Sequence, residues 1–205
     1  NKAAAQALLA RVNLYRKDFA AAKKWSDSCI TLAGSKLTNA GNYVSNWRGA
    51  TNNETLFHLV FATNAENNGV NESLQTSYTT LTAPGNTATT GGFGDLVPSI
   101  SLLNALGITL TGGNTTTIFT GQNAVISTRT SDVRNLMYEV GTTGRGLAKV
   151  ECTKFLGKNG FINLDNIPII RIAEVYLTRA EPLSTPGSSV FNETAALADL
   201  NTLAT

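Results

Sequence analysis

The sequence is poor in the residues that most often hold metals, build disulfide scaffolds or bind nucleic acid. Its 205 residues include one histidine and two cysteines, so a zinc site is not expected, and one disulfide is the most that can form. The formal net charge is +2, and no basic cluster is longer than Lys23-Lys24, so the charge footprint of a nucleic-acid-binding protein is missing. No apolar run reaches the roughly eighteen residues that a membrane-spanning helix needs.

What remains is the composition of a globular protein. Hydrophobic residues make up 42% of the sequence and charged residues 15%, a balance that disordered chains do not show. A chain of this length can bury a sizeable core. Both ends interrupt helical patterns, so we expect one domain over residues 1–205 that is incomplete at both ends.

Residues 2–31 have the pattern of a helical hairpin. Leu8, Val12 and Tyr15 follow the i, i+4, i+7 spacing of a buried stripe, and Asp18 can cap a second helix. The second helix is expected to bury Phe19, Ala22, Ser26 and Cys29. Cys29 is therefore predicted to be a free structural thiol. Two helices cannot bury both of their faces, so the pattern resembles one tetratricopeptide-like unit that packs on further helices.

A second helix pair is predicted over residues 168–181 and 193–204. Pro168 suits a first helical position, and Pro182 is expected to end the first helix. Arg171 lies three residues before Glu174, which predicts an ion pair within a charged seam between helices. The predicted buried stripe of this helix consists of Ile169, Ala173, Tyr176, Leu177 and Ala180.

The middle of the chain differs in character. Residues 55–63 are rich in strand formers and predict a strand, and residues 98–107 return to helical spacing. Residues 82–95 and 109–131 are dense in Thr, Gly and Asn and predict long surface loops, and residues 133–140 are compatible with a short strand. The predicted fold class is therefore mostly α, with tetratricopeptide-like helix pairs and a loop-rich region that contains short strands.

Five segments, taken in order, resemble the SusD/RagB family of glycan-binding lipoproteins. The most specific is IPIIRIAEVYLTRAE at 167–181. The others are ALLARVNLYRKDFAAAKKWSDSCI at 7–30, NNETLFHLVF at 52–61, VPSISLLNAL at 97–106 with Asp132-Val133-Arg134 after it, and ALADLN at 196–201. Pro182 and Ala204 depart from the family pattern, which usually has alanine and arginine there. Members are considerably longer, so the chain resembles a central fragment.

The resemblance implies a function that no spacing shows. Members are outer-membrane, surface-exposed lipoproteins of Bacteroidetes that bind a glycan and deliver it to a SusC-like TonB-dependent transporter. They carry out no catalysis and need no cofactor. Membrane association would come only from a lipid anchor outside this chain. The alternative is a helical-repeat adaptor that binds proteins through a groove lined by Asn and Lys. The sequence identifies neither the glycan nor any bound calcium.

Enzymatic alternatives find little support in the sequence. Glu174 and Glu181 lie seven residues apart, about 10.5 Å along a helix, which is wide even for an inverting glycosidase. His58 has no nearby acidic or cysteine partner, so we interpret it as structural, and Asp132 with Arg134 predicts a salt-bridged loop anchor. The loop acids that an enzyme would have to bring together are Asp95, Asp132 and Glu139. Gly91–Gly94 and Gly141–Gly146 are interpreted as turns rather than phosphate loops.

A glycan site needs aromatic faces for the sugar C–H surface and polar groups beside them. Tyr43, Trp47 and Arg48 offer that mixture in one segment, and Tyr78 and Phe93 lie in or beside the polar loops. These five residues are the predicted ligand contacts. Tyr43 and Trp47 also have the spacing of a simple packing pair, so core packing remains the alternative for Trp47.

Overall fold

A computed structural model describes residues 1–34, 36–49, 52–66, 69, 71–83, 92–113, 123–143, 148–157 and 163–204. The chain divides into two compact units. Unit 1 consists of Asn1–Ala40, Asn52–Leu59 and Ile167–Thr205, and unit 2 consists of Gly41–Thr51 and Val60–Asn166. Because two compact units can belong to one domain or to two, the single domain over 1–205 stays a prediction.

The described residues form seven α-helices and six short strands. The helices are α1 (Lys2–Tyr15), α2 (Phe19–Ala33), α3 (Tyr43–Arg48), α4 (Leu74–Tyr78), α5 (Ile100–Ala105), α6 (Ile172–Ser184) and α7 (Glu193–Ala204). The strands are β1 (Thr55–Leu59), β2 (Ile108–Thr111), β3 (Val125–Arg129), β4 (Tyr138–Val140), β5 (Val150–Cys152) and β6 (Ile167–Arg171). They pair antiparallel as β1–β6, β2–β3 and β4–β5.

The helical hairpin predicted over 2–31 is confirmed, but the buried face of its first helix is not the predicted one. Leu8, Val12 and Tyr15 are 49%, 43% and 82% exposed. The buried positions of α1 are instead the alanines at 3, 4, 7 and 10. Alanine has little side chain, so α1 can approach its neighbours closely along this stripe. The alanine stripe and the stripe of Leu8, Val12 and Tyr15 both have helical spacing. The prediction favoured the second stripe because its apolar residues are larger.

The second helix follows the prediction closely. Asp18 caps α2 by accepting a hydrogen bond of 3.0 Å from the N–H of Ala21. Ala22, Ser26 and Cys29 are buried on α2, and the predicted Phe19 is half-buried. The Cys29 thiol is free, as predicted, and donates a 3.3 Å hydrogen bond to the carbonyl oxygen of Ala3.

The segment that opens with Pro168 is a strand and not the start of a helix. β6 pairs with β1, with Pro168 opposite His58 and Ile167 opposite Leu59, and α6 begins only at Ile172. The β-branched isoleucines on both sides of Pro168 favour a strand, and the pairing with β1 decides the outcome. The predicted strand over 55–63 is confirmed in its first part, and His58 is half-buried on it.

Helix α6 also ends later than predicted, and its fully buried positions coincide with the predicted stripe only at Ala180. Pro182 is buried inside the helix, which continues to Ser184. The hydroxyls of Ser184 and Thr185 donate to the carbonyl oxygen of Glu181, one of the last-turn carbonyls that lack an intrahelical N–H donor. Ile169 and Leu177 of the predicted stripe are 38% and 50% exposed. The buried positions of α6 are Ile172, Val175, Thr178, Ala180, Pro182 and Leu183.

Arginine–carboxylate pairs join the helices of unit 1. Arg11 on α1 binds Glu174 on α6 at 2.7 Å between Nη2 and Oε2. Arg179 on α6 binds Asp27 on α2 at 2.8 Å and Asp199 on α7. The predicted charged seam is thus present. Arg171 lies on β6, not in the helix with Glu174, so the predicted helical spacing between them is wrong; its Nη1 donates to Glu54 at 3.2 Å.

Unit 2 is built from shorter elements around a small core of Leu103, Leu106, Ile108 and Val150. The predicted helix near residues 98–107 is confirmed as α5, which Ser99 caps at the N–H of Leu102. The predicted loop over 109–131 is wrong at its ends, because they form the β2–β3 hairpin; residues 114–122 lie outside the described residues. The possible strand over 133–140 is a 3-10 helix followed by β4.

Candidate functional site

The predicted ligand contacts all lie in unit 2. Helix α3 carries Tyr43, Trp47 and Arg48. Trp47 is only 4% exposed, with the Nζ of Lys154 at 4.6 Å from its ring centroid and Phe155 packed edge-on at 6.2 Å and 84°. An indole enclosed in this way offers little flat surface to a sugar, which suits the packing interpretation of Trp47 as the base of an aromatic cluster.

Phe155 joins the predicted aromatic residues of two helices. Its ring contacts Trp47 of α3 and also Tyr78 of α4, at 6.0 Å and a tilt of 30°. Tyr78 and Phe155 are both half-buried, so part of each side chain faces solvent. The sequence did not single out Phe155. It follows β5 in a short segment without apolar periodicity, so only the folded arrangement identifies it.

Phe93 lies in a segment without regular secondary structure that is hydrogen-bonded along α4. The N–H groups of Phe93 and Gly94 both donate to the carbonyl oxygen of Thr76 at 2.9 Å, and the N–H of Leu96 donates to Ser77 at 2.8 Å. The segment therefore follows the helix that carries Tyr78. Phe93 is half-buried, and residues 84–91 of the predicted loop lie outside the described residues.

Tyrosine side chains add to the same neighbourhood. Burial raises the pKa of Tyr138 to about 12, and Cys152, Tyr43 and Tyr78 act on it electrostatically in the same direction. Tyr43 and Tyr78 both lie within electrostatic range of Tyr138. A phenol held neutral in this way is a hydrogen-bond donor and acceptor at all physiological pH values.

The arginines of this region are engaged with acids and carbonyl groups. Arg48 approaches Glu139 at 3.9 Å and donates to the carbonyl oxygen of Leu136 at 3.4 Å. Both are long contacts, and the Arg48 side chain is 41% exposed, so Arg48 can turn toward a ligand at little cost. Arg129, by contrast, is fixed, because it binds Glu139 at 3.1 Å and the carbonyl oxygen of Tyr138 at 2.6 Å.

Two of the three loop acids are paired with arginine. Asp132 caps the 3-10 helix at Val133–Met137 and binds Arg134 at 2.6 Å. The salt bridge confirms the predicted pairing of the two residues, and the Arg134 hydrogen bond holds the pKa of Asp132 below its usual range. Glu139 binds Arg129 and approaches Arg48, and Asp95 is exposed. Asp132, whose pKa Arg134 lowers, is a poor general acid.

Buried polar side chains surround α4, and no sequence pattern predicts them. At one end, Ser73 caps the helix and donates 2.7 Å to the Oδ1 of Asn163, which also accepts from Thr76 at 3.0 Å. At the other end, the Glu151 carboxylate accepts from Thr79 and Thr80. All six of these side chains are less than 7% exposed. The network fixes the helix on which Tyr78 lies.

The part of the chain that the structure describes contains no group of three or more His, Cys, Asp or Glu side chains that could hold a metal ion. Among those same residues, none of the helices combines the length and apolar character required to cross a bilayer.

Comparison with known proteins gives matches only among solved structures. The sequence matches no family model, and no curated protein matches it at a significant level. A SusD superfamily protein from Bacteroides thetaiotaomicron is 25% identical with a TM-score of 0.66, covering 100% of this chain and 41% of that one. A SusD superfamily protein from Bacteroides vulgatus is 19% identical with a TM-score of 0.62, covering 100% and 40%.

A third structure, also from Bacteroides vulgatus, is of a protein provisionally named for sugar binding. It is 23% identical with a TM-score of 0.64, covering 98% of this chain and 38% of that one. This chain therefore spans about two fifths of the length of the structures that it matches. The similarities confirm the predicted family resemblance and the predicted mostly α-helical fold class.

Proposed function

Because the chain has a SusD-like fold, we propose that it is part of a cell-surface protein that binds an oligosaccharide or polysaccharide without altering it. The observation that carries this proposal is the joining of Trp47, Phe155 and Tyr78 in one aromatic cluster, beside the half-exposed Arg48. Rings with polar groups at their margin are what a sugar requires, since its C–H face packs on the ring and its hydroxyls bond to the rim.

Within this proposal the residues have different roles. Tyr78 and Phe155 offer partly exposed rings, and Phe93 extends the surface along α4. Tyr43 and Arg48 supply a phenol and a guanidinium for sugar hydroxyls. Trp47 packs against the other rings of the cluster, and a ligand contacts only the exposed edge of its indole.

The wider assembly is also a proposal. We infer delivery of the glycan to a SusC-like TonB-dependent transporter, and attachment to the outer surface of the outer membrane through a lipid anchor outside this chain. Both follow from the family resemblance, and they concern a longer protein than the chain described. Absence of catalysis is part of the same proposal, supported by the arginine pairing of Asp132 and Glu139.

A titration experiment tests glycan binding. The protein is titrated calorimetrically with soluble glucans, xylans, mannans and pectins, and any polymer that binds is then incubated with the protein and analysed for cleavage. We expect binding without products and a loss of about tenfold in affinity for Tyr78→Ala, since stacking on an aromatic ring contributes roughly 0.5–1.5 kcal/mol beyond burial. Tyr15→Ala, which changes an 82% exposed tyrosine of unit 1, is the matched control.

A second function is favoured by a different observation. α1 exposes Leu8, Val12 and Tyr15 along one face, which is the kind of surface that a helical-repeat adaptor uses to bind a protein. If no glycan in the panel binds to the wild type or to Tyr78→Ala, the glycan proposal is wrong and the adaptor becomes the better interpretation.

A further inference from the structure

One carboxylate in unit 2 is completely buried. Glu151 lies on β5 and is 0% exposed, whereas Glu139, its partner in the β4–β5 register, has a side chain that is 42% exposed. A buried charge is costly unless several hydrogen bonds replace its water. The neighbours that provide those bonds therefore indicate what Glu151 holds in place.

The donors to Glu151 come from the residues that follow α4. Its Oε2 accepts 2.6 Å from the N–H of Thr80, 2.9 Å from the Thr80 hydroxyl and 3.0 Å from the Thr79 hydroxyl. The N–H of Thr80 and the two threonine hydroxyls are neutral donors. These three bonds converge on one oxygen, so a single side chain ties β5 to both threonines.

Two glycine segments reach the same carboxylate from other parts of unit 2. A Cβ on Gly94 would lie 2.5 Å from Oε1, and a Cβ on Gly141 would lie 2.3 Å from either oxygen. Neither position has room for a side chain. The second segment is also bonded to the first set of donors, because the N–H of Thr142 donates 2.7 Å to the Thr80 hydroxyl.

These contacts join three segments that are distant in sequence. Residues 79–80 follow Tyr78, residue 94 follows Phe93, and residues 141–142 follow β4. We propose that Glu151 is a positioning residue of the ligand site: its buried carboxylate fixes the backbone on which Tyr78 and Phe93 stand. This inference rests on the proposed glycan-binding function, and it adds a residue that touches no ligand.

The first test needs no ligand. Glu151→Gln keeps the shape of the side chain but removes its charge, so the bonds to Thr79 and Thr80 weaken. We expect the amides of Phe93, Gly94 and Thr142 to exchange with deuterium about tenfold faster, while the amides of α5 and of unit 1 keep the wild-type rate. Uniformly faster exchange in all elements would overturn the proposal, because it would mean a general loss of stability.

The second test measures binding to a glycan of the panel at a temperature where every variant is folded. We expect Glu151→Gln and Thr80→Val to weaken binding of that glycan about tenfold. Thr80→Ser, which keeps the hydroxyl, should restore wild-type affinity, and Glu72→Gln, which changes an exposed carboxylate, should leave it unchanged. If these residues mattered only for general stability, the variants would have shifted unfolding midpoints. Thr80→Ser and Thr80→Val would then bind the glycan with the same affinity.

The outcomes separate the two proposals. If the wild type binds a glycan and Glu151→Gln binds it equally well, the positioning role is wrong and the proposed function stands. If the wild type binds nothing in the panel, glycan binding is wrong, and Glu151 is then no ligand-site residue even if the exchange result is as expected.

Discussion

The two units use different polar interactions to hold their elements together. In unit 1 the helices are 12–15 residues long and pack through small or apolar residues, and arginines reach across their margins to carboxylates. In unit 2 the longest helices have six residues, which is too short for a helix to be stable by itself. There, buried hydroxyls, amides and one carboxylate hold the elements together.

This difference bears on where a ligand site can be placed. The longer helices of unit 1 are stabilised mainly by the packing of their small and apolar faces, so most of their exposed side chains can change with little effect. Short elements depend on specific side-chain hydrogen bonds, so their geometry is more sensitive to mutation. The predicted ligand contacts all lie in the second kind of structure, which is common for binding surfaces.

The largest expected effect tests the ion pairs of unit 1. Arg179→Met removes the partner of Asp199, whose side chain is 6% exposed, and leaves that carboxylate buried without its counter-charge. We expect the free energy of unfolding to fall by about 3 kcal/mol in urea titrations. Lys23→Met breaks an exposed pair with Asp27 and should cost about 0.5 kcal/mol or less. Equal effects would contradict the importance given to Arg179.

An intermediate effect concerns the buried network of unit 2. Ser73 and Ser99 both cap short helices, but Ser73 is 3% exposed and also donates to Asn163, whereas Ser99 is exposed. Ser73→Ala removes a cap and a buried bond, and we expect a loss of about 2 kcal/mol. Ser99→Ala removes only a cap and should cost about 1 kcal/mol or less. Chemical denaturation of both variants measures the contrast, and a larger loss for Ser99→Ala would refute it.

The smallest effect is a pH dependence in unit 1. Burial raises the pKa of Asp27, but hydrogen bonds from Lys23 and Arg179 outweigh burial, so the net pKa lies below its usual value. A carboxylate with a lowered pKa stabilises the folded state above its unfolded-state pKa of about 3.9, and this contribution is lost as the pH falls through the folded-state pKa.

Asp27→Asn should therefore reduce the loss of stability between about pH 5 and pH 3. The effect should be below about 1 kcal/mol, because the Asp27 side chain is 40% exposed and solvent screens its pairs. Unfolding midpoints measured across this range, with Glu72→Gln as the control, detect the change. If Asp27→Asn and the wild type lost the same stability between about pH 5 and pH 3, Arg179 would act through Asp199 alone.

Local signals in the sequence predicted the helices well. Asp18 marked the start of α2, and Ser26 and Cys29 marked its buried face. The failures came where a tertiary contact overrode the local pattern. Pro168 suited a helix start, but pairing with β1 made its segment a strand; the alanines of α1 were buried although larger apolar residues formed a competing stripe.

The candidate site was less predictable for a related reason. Aromatic residues near polar segments can be found by inspection, and Tyr78 and Trp47 do meet on a common partner. That partner, Phe155, has no local signal. Glu151 and Asn163 have none either, since a buried polar residue and an exposed one look alike in sequence, and only the fold shows which donors converge on them.

The pairing of β1 with β6 also affects how the chain folds. Leu59 lies opposite Ile167, so this ladder closes a loop of more than a hundred residues, and closing such a loop costs about 4 kcal/mol of chain entropy. The α1–α2 hairpin needs only local contacts and can form early, but Arg11 must wait for Glu174, 163 residues away. We expect the segment between β1 and β6 to become compact first, which shortens the effective loop, and α6 and α7 to pack against the α1–α2 hairpin last.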